Sequence, residues 1–591
     1  MNSAPVAPAT ASLDDPFYYL TNFRYVVSWV NARHHDLLSA TERDAIGHFE
    51  TLPQASQALL VRMVMRKGEL FRLDKLSYAE IGDTEQALVP LVALGWVDRA
   101  PQLTSRELFR LLRLSELRQA LADEIANAGL ARNSTKAALQ AAVEEKPLQA
   151  PAPLQQWWPA ATTQVVRLTV MAFCDRLRLM FFGNLRQDWA EFVLTELGLQ
   201  RFEQVPLTAE SRAFQSREEV TTYLTLHRLR ERLDDGELPQ TLSTQVLPAS
   251  SNRWLASRRA RLLLTMGREA ERGGDSELAL TLYADSNNSD ARIRRLRVLE
   301  RLGRYSDAYK LTISALDAQP HEGEIQALMR LLPRLARKLG QKVERSDRAE
   351  QQAAQALTYV LHLPGPQPVE RAVAEALATP TAPVYYVENS LLTGLFGLLF
   401  WPVIFKPLPG AFFHPFHSGP ADLYREDFVP QRQADINACL AQLDDGRYKE
   451  TILRTWHAKQ GIASPFVHWG IVSEELLALA LKCLPPAHLR ACFMRLLDDL
   501  KHNRAGLPDL IQLMPDAPPR EPRYKMIEVK GPGDRLQDNQ RRWIDFFCRH
   551  SMPVEVCHVR WQPAPEPEEI KQEKSKKIES KQRESKQEDA E

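Results

Sequence analysis

The sequence predicts a multidomain, mostly α-helical protein with a small α/β domain near its C-terminus. The chain has 591 residues, and at roughly 150 residues per domain this length favours about four domains. Apolar residues recur at three- and four-residue spacing through much of the chain, as in amphipathic helices. Two segments, residues 506–513 and 524–531, instead carry the pattern of a turn and short strands.

Composition excludes a disordered chain and a polytopic membrane protein. Hydrophobic residues make up 44% and charged residues 25%, as in ordinary soluble domains. Lys plus Arg and Asp plus Glu both total 75, so the net charge is +0, and a nucleic acid would have to be bound through local basic surface. The most apolar run, residues 391–405, is too short to span a membrane and contains Pro402, so we expect a buried helix.

The six cysteines have neither zinc-ligand nor disulfide spacing, so we expect reduced thiols in a cytoplasmic protein. Residues 1–15 have no signal-peptide pattern. No cysteine precedes Cys174, so a zinc finger is not expected in the N-terminal region.

Residues 1–100 are predicted to form an N-terminal helical, winged-helix-like domain. Leu59, Leu60 and Met63 recur at helical spacing among basic residues. Gly95 to Asp98 predict a tight turn that ends the helix and leads into a short strand. Helices followed by a short wing are typical of units that lie against a phosphate backbone. The same basic residues also suit a solvated helix face, so this segment alone leaves both interpretations open.

Residues 101–146 are predicted to form a small DNA-binding module. Thr104 with Glu107 three residues later predicts a capping box that opens one helix, and a second short helix follows Ser134. The leucine-rich stretch at residues 117–139 resembles the two-helix SAP module. Its phosphate contacts, which position a protein without reading sequence, would come from Arg106, Arg110, Arg113 and Lys136.

Three further segments complete the predicted domain order. Residues 147–250 are interpreted as a linker, rich in Pro, Ala and Gln at its start, followed by a helical region. Residues 251–370 predict TPR-like helical repeats, since a turn followed by an alanine-containing helix recurs near the 34-residue tetratricopeptide period. Residues 563–591 are mostly Lys, Glu, Gln and Ser, which predicts a disordered charged tail.

The chemistry is concentrated in residues 371–562, the predicted C-terminal α/β domain. Asp509 stands at the entry of one strand, and a period of two places Glu528 and Lys530 on one face of the next. Pairing of these strands would bring Asp509 beside Glu528. Carboxylate oxygens bind Mg²⁺ or Mn²⁺, and a lysine can stabilise charge that develops on a phosphate. The set suits a phosphodiesterase, although Glu-x-Lys on an exposed strand is also an ordinary solvated pair.

The extended motif resembles a known family. Pro508 and Asp509, followed by EVKGPGDRLQDNQ at residues 528–540, are similar to the VRR-type nuclease domain, a branch of the PD-(D/E)xK, restriction-endonuclease-like superfamily. Upstream, YVENSLL at residues 386–392 and PFHSGPADLY at residues 415–424 resemble the nuclease region of the Fanconi-associated nucleases. With the SAP-like and repeat-like segments in the same order, the chain is identified as a bacterial-type member of that family.

The resemblance implies a structure-specific, metal-dependent DNA nuclease that has 5′-flap endonuclease and 5′-to-3′ exonuclease activity, of the phosphodiesterase I type, and repairs interstrand crosslinks. It implies one or two Mg²⁺ or Mn²⁺ ions bound by a helix-borne Glu388, by Asp509 and Glu528, and by the carbonyl of Val529. Lys530 would be the catalytic lysine. Residues 531–536 lead into a helix predicted to begin near Gln537, and Gln540 on that helix would be a helper near the scissile phosphate. Alternatively, Glu388 is an acid that faces the dipole of a helix N-terminus.

Two other functions remain open on the sequence. A non-catalytic scaffold that recognises branched DNA or DNA ends is disfavoured by intact Asp509, Glu528 and Lys530. A restriction-type endonuclease would need a base-reading element, which we do not find. The resemblance implies branched and 5′-flap DNA as the partner, with a dimer on DNA left open, no membrane contact and a nucleoid-associated location in a bacterial cytoplasm. Vertebrate relatives carry an N-terminal ubiquitin-binding zinc finger, which is not expected in this chain.

Overall fold

The computed structural model describes residues 15–562, apart from residues 128, 132, 145–149, 188, 190–200, 319–321, 342–355 and 366. The chain divides into two compact units. The first comprises Met1–Leu302 and Phe405–Ala421, and the second comprises Gly303–Ile404 and Asp422–Glu591. The charged tail predicted for residues 563–591 and all but the last of residues 1–15 lie outside the described residues.

The first unit begins with helices around a three-stranded antiparallel sheet, in the order β1-β3-β2. Short 3-10 turns lie at His35–Leu37 and Leu73–Lys75. Up to residue 182 its elements are α1 (Tyr18–His34), α2 (Ala40–Thr51), α3 (Gln54–Val64), β1 (Leu70–Arg72), α4 (Thr84–Ala93), β2 (Val97–Asp98), α5 (Ser105–Leu111), α6 (Leu114–Ala120), α7 (Ala122–Asn127), α8 (Lys136–Glu144), α9 (Leu154–Trp157), β3 (Val165–Leu168) and α10 (Met171–Phe182).

The wing of this unit is completed by a distant part of the chain. The short strand predicted after Gly95 is confirmed as β2. Its partner β3 lies in the stretch that we interpreted as linker and helix, and it pairs with both β1 and β2. Helix α10, which follows β3, packs on α1 in the same core. The N-terminal fold therefore extends beyond the predicted boundary at residue 100, with α5 to α9 inserted within it.

Helices α5 to α9 enclose a small core of their own. Leu108, Leu117 and Leu139 are buried in it. The predicted capping box is confirmed: the Glu107 N–H donates to Thr104 Oγ1 (3.3 Å), and the Thr104 N–H donates to a Glu107 carboxylate oxygen (2.8 Å). The second predicted helix, after Ser134, is confirmed as α8.

The rest of the first unit consists of packed helices and a returning segment. The predicted paired helices are present, since α13, α14 and α15 pack on one another in sequence. Phe413, in the returning segment 405–421, packs on Trp254 with ring centroids 5.4 Å apart, and His414 stacks on Phe181 at 4.9 Å. The helices are α11 (Arg217–Asp234), α12 (Pro239–Ser243), α13 (Arg253–Arg272), α14 (Ser276–Asp285) and α15 (Ser289–Arg301).

The second unit joins two further helices to an α/β domain. Its elements are α16 (Tyr305–Asp317), α17 (Glu322–Lys338), β4 (Leu357–Pro364), α18 (Val369–Leu377), β5 (Val384–Tyr386), α19 (Leu391–Leu399), α20 (Trp401–Ile404), α21 (Phe428–Asp445), α22 (Tyr448–Lys459), α23 (Glu474–Cys483), α24 (Pro486–Asp498), β6 (Leu510–Leu513), β7 (Tyr524–Lys530), α25 (Asp538–Arg549) and β8 (Val554–Gln562).

The five strands form one mixed sheet in the order β4-β8-β7-β6-β5. Strand β6 is antiparallel to both of its neighbours, β5 and β7, whereas β8 is parallel to both of its neighbours, β7 and β4. Helix α25 makes the crossover between parallel strands β7 and β8, as such connections require. Strand β4 lies before residue 371, where we placed the start of this domain. The sheet therefore begins within the stretch predicted to be repeats.

The most apolar run forms buried helices. Helices α19 and α20 are almost wholly buried and are separated at Phe400. Pro402 lies in the first turn of α20, where its missing N–H is tolerated. Among the described residues no single helix is long and apolar enough to cross a membrane, whereas α23 and α24, bent by 111°, meet the length and composition requirement only as a pair. All six cysteines are free thiols.

Candidate active site

The pairing of β6 with β7 assembles the predicted acidic site. The two strands are antiparallel, and Leu510 lies opposite Ile527, so Asp509 at the entry of β6 comes beside Glu528. The N–H of Val529 donates to Asp509 Oδ2 at 2.8 Å in the buried interior. The predicted approach of Asp509 to Glu528 is thereby confirmed, and the peptide N–H of Val529 fixes one oxygen of the aspartate.

Glu528 and Lys530 form a buried ion pair on one face of β7. Lys530 Nζ lies 2.8 Å from Glu528 Oε1. The Glu528 side chain is fully buried, and neither of its oxygens accepts a well-directed hydrogen bond from the described residues. A buried carboxylate normally has hydrogen-bond partners for its oxygens. Oε1 faces the Lys530 ammonium, so Oε2 is the oxygen that is available to a cation.

Gln540 connects Lys530 to the start of α25. Lys530 Nζ donates to Gln540 Oε1 at 3.1 Å. The same oxygen accepts the backbone N–H of Gln537 at 2.9 Å, in a capping box that opens the helix. The helix therefore begins near Gln537 as predicted, and its first turn holds the lysine ammonium at the end of β7.

Glu388 lies in the turn between β5 and α19, so the prediction of a helix-borne residue is wrong. Asn389 has a φ of 48°, which is incompatible with a right-handed helix, and α19 begins only after Ser390. The exposed Glu388 carboxylate accepts hydrogen bonds from the Tyr386 hydroxyl (2.5 Å) and from Asn389 Nδ2 (3.1 Å). Glu388 lies just before α19. This position also agrees with the alternative interpretation, in which Glu388 is an acid near a helix N-terminus.

The buried carboxylates of the site resist ionisation. The pKa of Asp509 is raised to about 6, mainly by burial and also by the charges of Glu388 and Glu370, against the opposing effects of the Val529 N–H and Lys530. The pKa of Glu528 is raised to about 7, mainly by burial and then by the charge of Asp509, against the opposing effect of Lys530. A divalent cation would favour the ionised form of both acids.

The residues present fit a hard metal ion. Carboxylate and carbonyl oxygens are the donors that Mg²⁺ and Mn²⁺ prefer, and Asp509, Glu528 and the Val529 carbonyl offer them at the end of two strands. No three Asp, Glu, His or Cys side chains in the described part of the chain are arranged to hold one ion. The candidate set in this arrangement is therefore Asp509, Glu528 and the Val529 carbonyl, and Glu388, which the resemblance implied as a further ligand, lies in the neighbouring turn.

Sequence reasoning missed three residues of the site. Glu370 is half-buried in the first turn of α18, and its charge acts on both Asp509 and Tyr386. Tyr386 and Asn389 donate hydrogen bonds to Glu388, whereas we used them only as part of a family motif and assigned them no role. In the sequence, Glu370 is simply an acidic residue that follows Pro368 at the start of a helix. Acidic residues are common in the first turn of helices whatever the protein does, so this pattern did not identify Glu370 as part of the site.

The four predicted DNA-contacting residues lie in the first unit. Arg106 and Arg110 on α5 and Arg113 after its end are exposed. Lys136 instead donates Nζ to the carbonyl oxygen of Leu112 at 2.9 Å. One donor of this lysine is therefore used to tie α8 to the end of α5.

This chain is similar to known proteins over nearly its whole length. The family described as "FAN1, HTH domain" matches residues 17–98, and the "VRR-NUC domain" matches residues 443–561. A Fanconi-associated nuclease 1 homolog of Pseudomonas aeruginosa is 49% identical over 560 residues, which are 94% of this chain and 98% of that protein. A homolog of Arabidopsis thaliana is 26% identical over 92% of this chain and 67% of its own length.

A solved structure agrees with these sequence matches. The crystal structure of paFAN1 bound to DNA with a 2-nucleotide 5′ flap and a gap is 48% identical in sequence and superimposes with a TM-score of 0.79. The match covers 94% of this chain and 100% of that chain. A second crystal structure of paFAN1, bound to DNA with a 1-nucleotide 5′ flap and a gap, matches with a TM-score of 0.77.

Proposed function

The chain belongs to the Fanconi-associated nuclease family, and we propose that it cuts branched DNA near a 5′ flap at the site of Asp509, Glu528 and Lys530. It is a nuclease with a C-terminal VRR-NUC domain. The observation that supports this site is the fully buried Glu528 carboxylate beside Asp509, whose Oε1 pairs with Lys530 while Oε2 has no hydrogen-bond partner among the described residues. Binding of 5′-flap DNA by paFAN1 supports the substrate class.

The site suits metal-dependent hydrolysis of a phosphodiester. Asp509, Glu528 and the Val529 carbonyl would hold Mg²⁺ or Mn²⁺, together with Glu388. Such an ion stabilises charge on the phosphoryl oxygens and lowers the pKa of water. The Val529 N–H keeps Asp509 in place, and Glu528 and Gln540 hold the Lys530 ammonium, which is placed to donate to an oxygen on which negative charge develops. Hydrolysis would leave a 5′-phosphate and a 3′-hydroxyl.

Flap DNA labelled at one end provides the test. Wild-type protein should cut near the branch with Mg²⁺ or Mn²⁺ and not with EDTA. Lys530→Ala should cut roughly a hundredfold more slowly or worse, since it removes a charge that acts on the transition state. The matched control is Lys525→Ala on the same strand: Lys525 also pairs with a glutamate, Glu555, at 3.1 Å, but its loss should leave cutting unchanged. Equal rates for wild type and Lys530→Ala would refute the assignment.

The same assay separates the other functions considered. Flap binding without cutting under every metal condition would favour a non-catalytic scaffold. Unequal cutting of flaps that share a geometry but differ in sequence would favour a restriction-type enzyme. Stepwise shortening of a 5′-phosphorylated duplex would reveal the expected 5′-to-3′ exonuclease activity.

We further infer a role in interstrand crosslink repair, which rests on family membership. A strain that lacks the protein should survive a bifunctional crosslinking agent poorly, and wild type should restore survival whereas Lys530→Ala should not. Equal survival of the deletion strain and its parent would contradict this role without affecting the assigned reaction.

A further inference from the structure

The turn that carries Glu388 is tied to the loop that carries Asp509. Strand β5 pairs with β6, with Tyr386 opposite Leu510, and the next N–H, of Val387, donates to the Asp509 carbonyl at 2.8 Å. Beyond that point the backbone turns towards α19. The side chain of Asn389 then accepts the N–H of Leu507 at 3.1 Å through Oδ1. Asn389 thus extends the contact between the two segments after the backbone has left the sheet.

The backbone of Asn389 is held in an uncommon conformation. Its φ of 48° lies in the left-handed region, which asparagine tolerates better than most residues. Among the described residues, Ser551 alone shares a positive φ without being glycine. The hydroxyl of buried Thr393 donates to the Asn389 carbonyl at 2.7 Å. Such conformations persist only where the surroundings impose them.

This conformation directs the other half of the Asn389 amide at Glu388. Asn389 Nδ2 donates to Glu388 Oε1 (3.1 Å), and the Tyr386 hydroxyl donates to Oε2 (2.5 Å). Both oxygens of an exposed carboxylate are therefore held by neutral donors. Without such donors, an exposed glutamate side chain would lose roughly 1.5–2 kcal/mol of rotamer entropy when it binds a ligand. Hydrogen bonds that already order the side chain reduce this cost.

We propose that Asn389 and Tyr386 are positioning residues that hold the Glu388 carboxylate against the Asp509 loop, so that the metal affinity of the site depends on them. The inference rests on the proposed role of Glu388 as a metal ligand. Hydrogen bonds from outside the ligand set orient ligating carboxylates, and their loss typically costs roughly 10–100-fold in metal affinity. Neither residue needs to touch the metal or the DNA for this effect.

Four variants of the full chain separate the side-chain role from the backbone role. Asn389→Gly accepts the left-handed φ without strain but removes both side-chain hydrogen bonds. Tyr386→Phe removes one hydroxyl. Glu388→Gln removes the charge that the two residues position. Ser551→Gly is the matched control, because it makes the same kind of change at a positive φ (53°) in an exposed turn.

The experiment is a calorimetric titration of each protein with Mn²⁺ in the absence of DNA, combined with metal-free thermal melts. Asn389→Gly and Tyr386→Phe should each bind Mn²⁺ roughly tenfold more weakly than wild type, and Ser551→Gly should bind it equally well. Flap cutting by the two variants should be slow at low Mn²⁺ and recover at saturating Mn²⁺. A purely structural role would lower the metal-free melting temperature without that recovery.

Three outcomes would count against these ideas in different ways. Wild-type affinity in both Asn389→Gly and Tyr386→Phe, with affinity lost in Glu388→Gln, would overturn the positioning role alone. Wild-type affinity in Glu388→Gln would remove Glu388 from the ligand set and overturn the inference with it. Tight Mn²⁺ binding by a wild-type protein that cuts no flap would instead refute the proposed function. Should Asn389→Gly fail to fold, Tyr386→Phe still decides, since it deletes a single hydroxyl at an exposed position.

Discussion

Burial opposes the ionisation of both acids of the site, Asp509 and Glu528, when no metal is bound. The pKa of Asp509 is raised to about 6 and that of Glu528 to about 7, mainly because both are buried. Each pKa unit corresponds to about 1.4 kcal/mol, so the ionised pair costs the metal-free fold a few kcal/mol at high pH. A bound cation would remove most of that cost, which couples metal binding to the stability of the second unit.

The metal-free protein should therefore lose stability as the pH rises. A carboxyl with a raised folded-state pKa stabilises the fold fully below its unfolded pKa, near 4, and this contribution is lost as the pH passes 6 to 7. We expect wild type in EDTA to melt progressively lower between pH 5 and pH 8 than the double variant Asp509→Asn/Glu528→Gln at the same pH. Histidines titrate alike in both proteins and cancel in the difference.

Saturating Mg²⁺ provides the control for this prediction. The ion should raise the melting temperature of wild type most at high pH and should leave the double variant unchanged. Parallel melting curves for the two proteins across the pH range, with no response to Mg²⁺, would show that the two acids ionise as freely as exposed ones.

The sequence predicted those residues of the site whose positions follow from local rules. The period of two along β7 placed Glu528 with Lys530, and the turn after Gly531 placed Gln540 at a helix start. Glu388 was assigned to a helix because a motif does not report the left-handed φ of Asn389. The contribution of Glu370 depends on how α18 lies beside β6, which no local pattern encodes.

At the scale of elements, one glycine sets how closely α25 approaches the loop before β6. Gly506 has a φ of 91°, and a Cβ added there would lie 2.8 Å from the backbone carbonyl carbon of Asn539. Asn539 is in the first turn of α25, next to Gln540. Any side chain at residue 506 would push that turn, and with it the group that holds Lys530, away from the strand ends.

Gly506→Ala should accordingly impair the enzyme more than a left-handed glycine elsewhere would. We expect a loss of stability of roughly 1–3 kcal/mol from the disfavoured φ, and in addition a fall in kcat with little change in KM for flap DNA. The control is Gly446→Ala at the end of α21, where φ is 82° and nothing lies within 4 Å of the added Cβ. That variant should lose stability but keep its kcat. Equal kcat in both variants would mean that the approach to Asn539 is unimportant.

Elements were predicted well where one segment of chain determines them. The capping box at Thr104, the start of α25 and the helical, buried state of the apolar run at residues 391–405 all depend on residues that are close in sequence. Strands were predicted less well, because a short strand is defined by its partner. Strand β2 pairs with β3 across the inserted helices α5 to α9. Strand β4 pairs with β8, which comes almost two hundred residues later. The residues of β4 alone do not show this pairing, so we assigned them to the helical repeats.

At the scale of the whole molecule, a chain with net charge +0 must bind DNA through local basic surface. The exposed Arg106, Arg110 and Arg113 are the proposed contacts. Each phosphate that a cation neutralises adds about 0.9 to the slope of log affinity against log salt. Replacing all three by glutamine should weaken flap binding alike for unrelated sequences and reduce that slope by roughly 2 to 3.

The control for this prediction is the same arginine-to-glutamine substitution at a position outside the predicted DNA-binding module. Arg447 is exposed and pairs with Asp445 at 2.7 Å, so Arg447→Gln should leave both the affinity and the salt slope unchanged. An unaltered slope in the triple variant, measured by fluorescence anisotropy over a salt series, would remove the three arginines from the DNA interface. Cutting at low salt should persist, since these residues are not at the reacting phosphate.

The return of residues 405–421 to the first unit affects how the protein can be made. Phe413 fills the space over Gly183, where an added Cβ would lie 2.0 Å from its ring. A growing chain therefore cannot complete the first unit when residue 302 leaves the ribosome. The ribosome must first synthesise residues 303–404, which belong to the second unit, so the first unit is completed only after part of the second unit has been made. For the same reason Met1–Leu302, expressed alone, would lack part of the first unit's core, whereas Gly303–Glu591 would carry residues 405–421 without the core on which they pack.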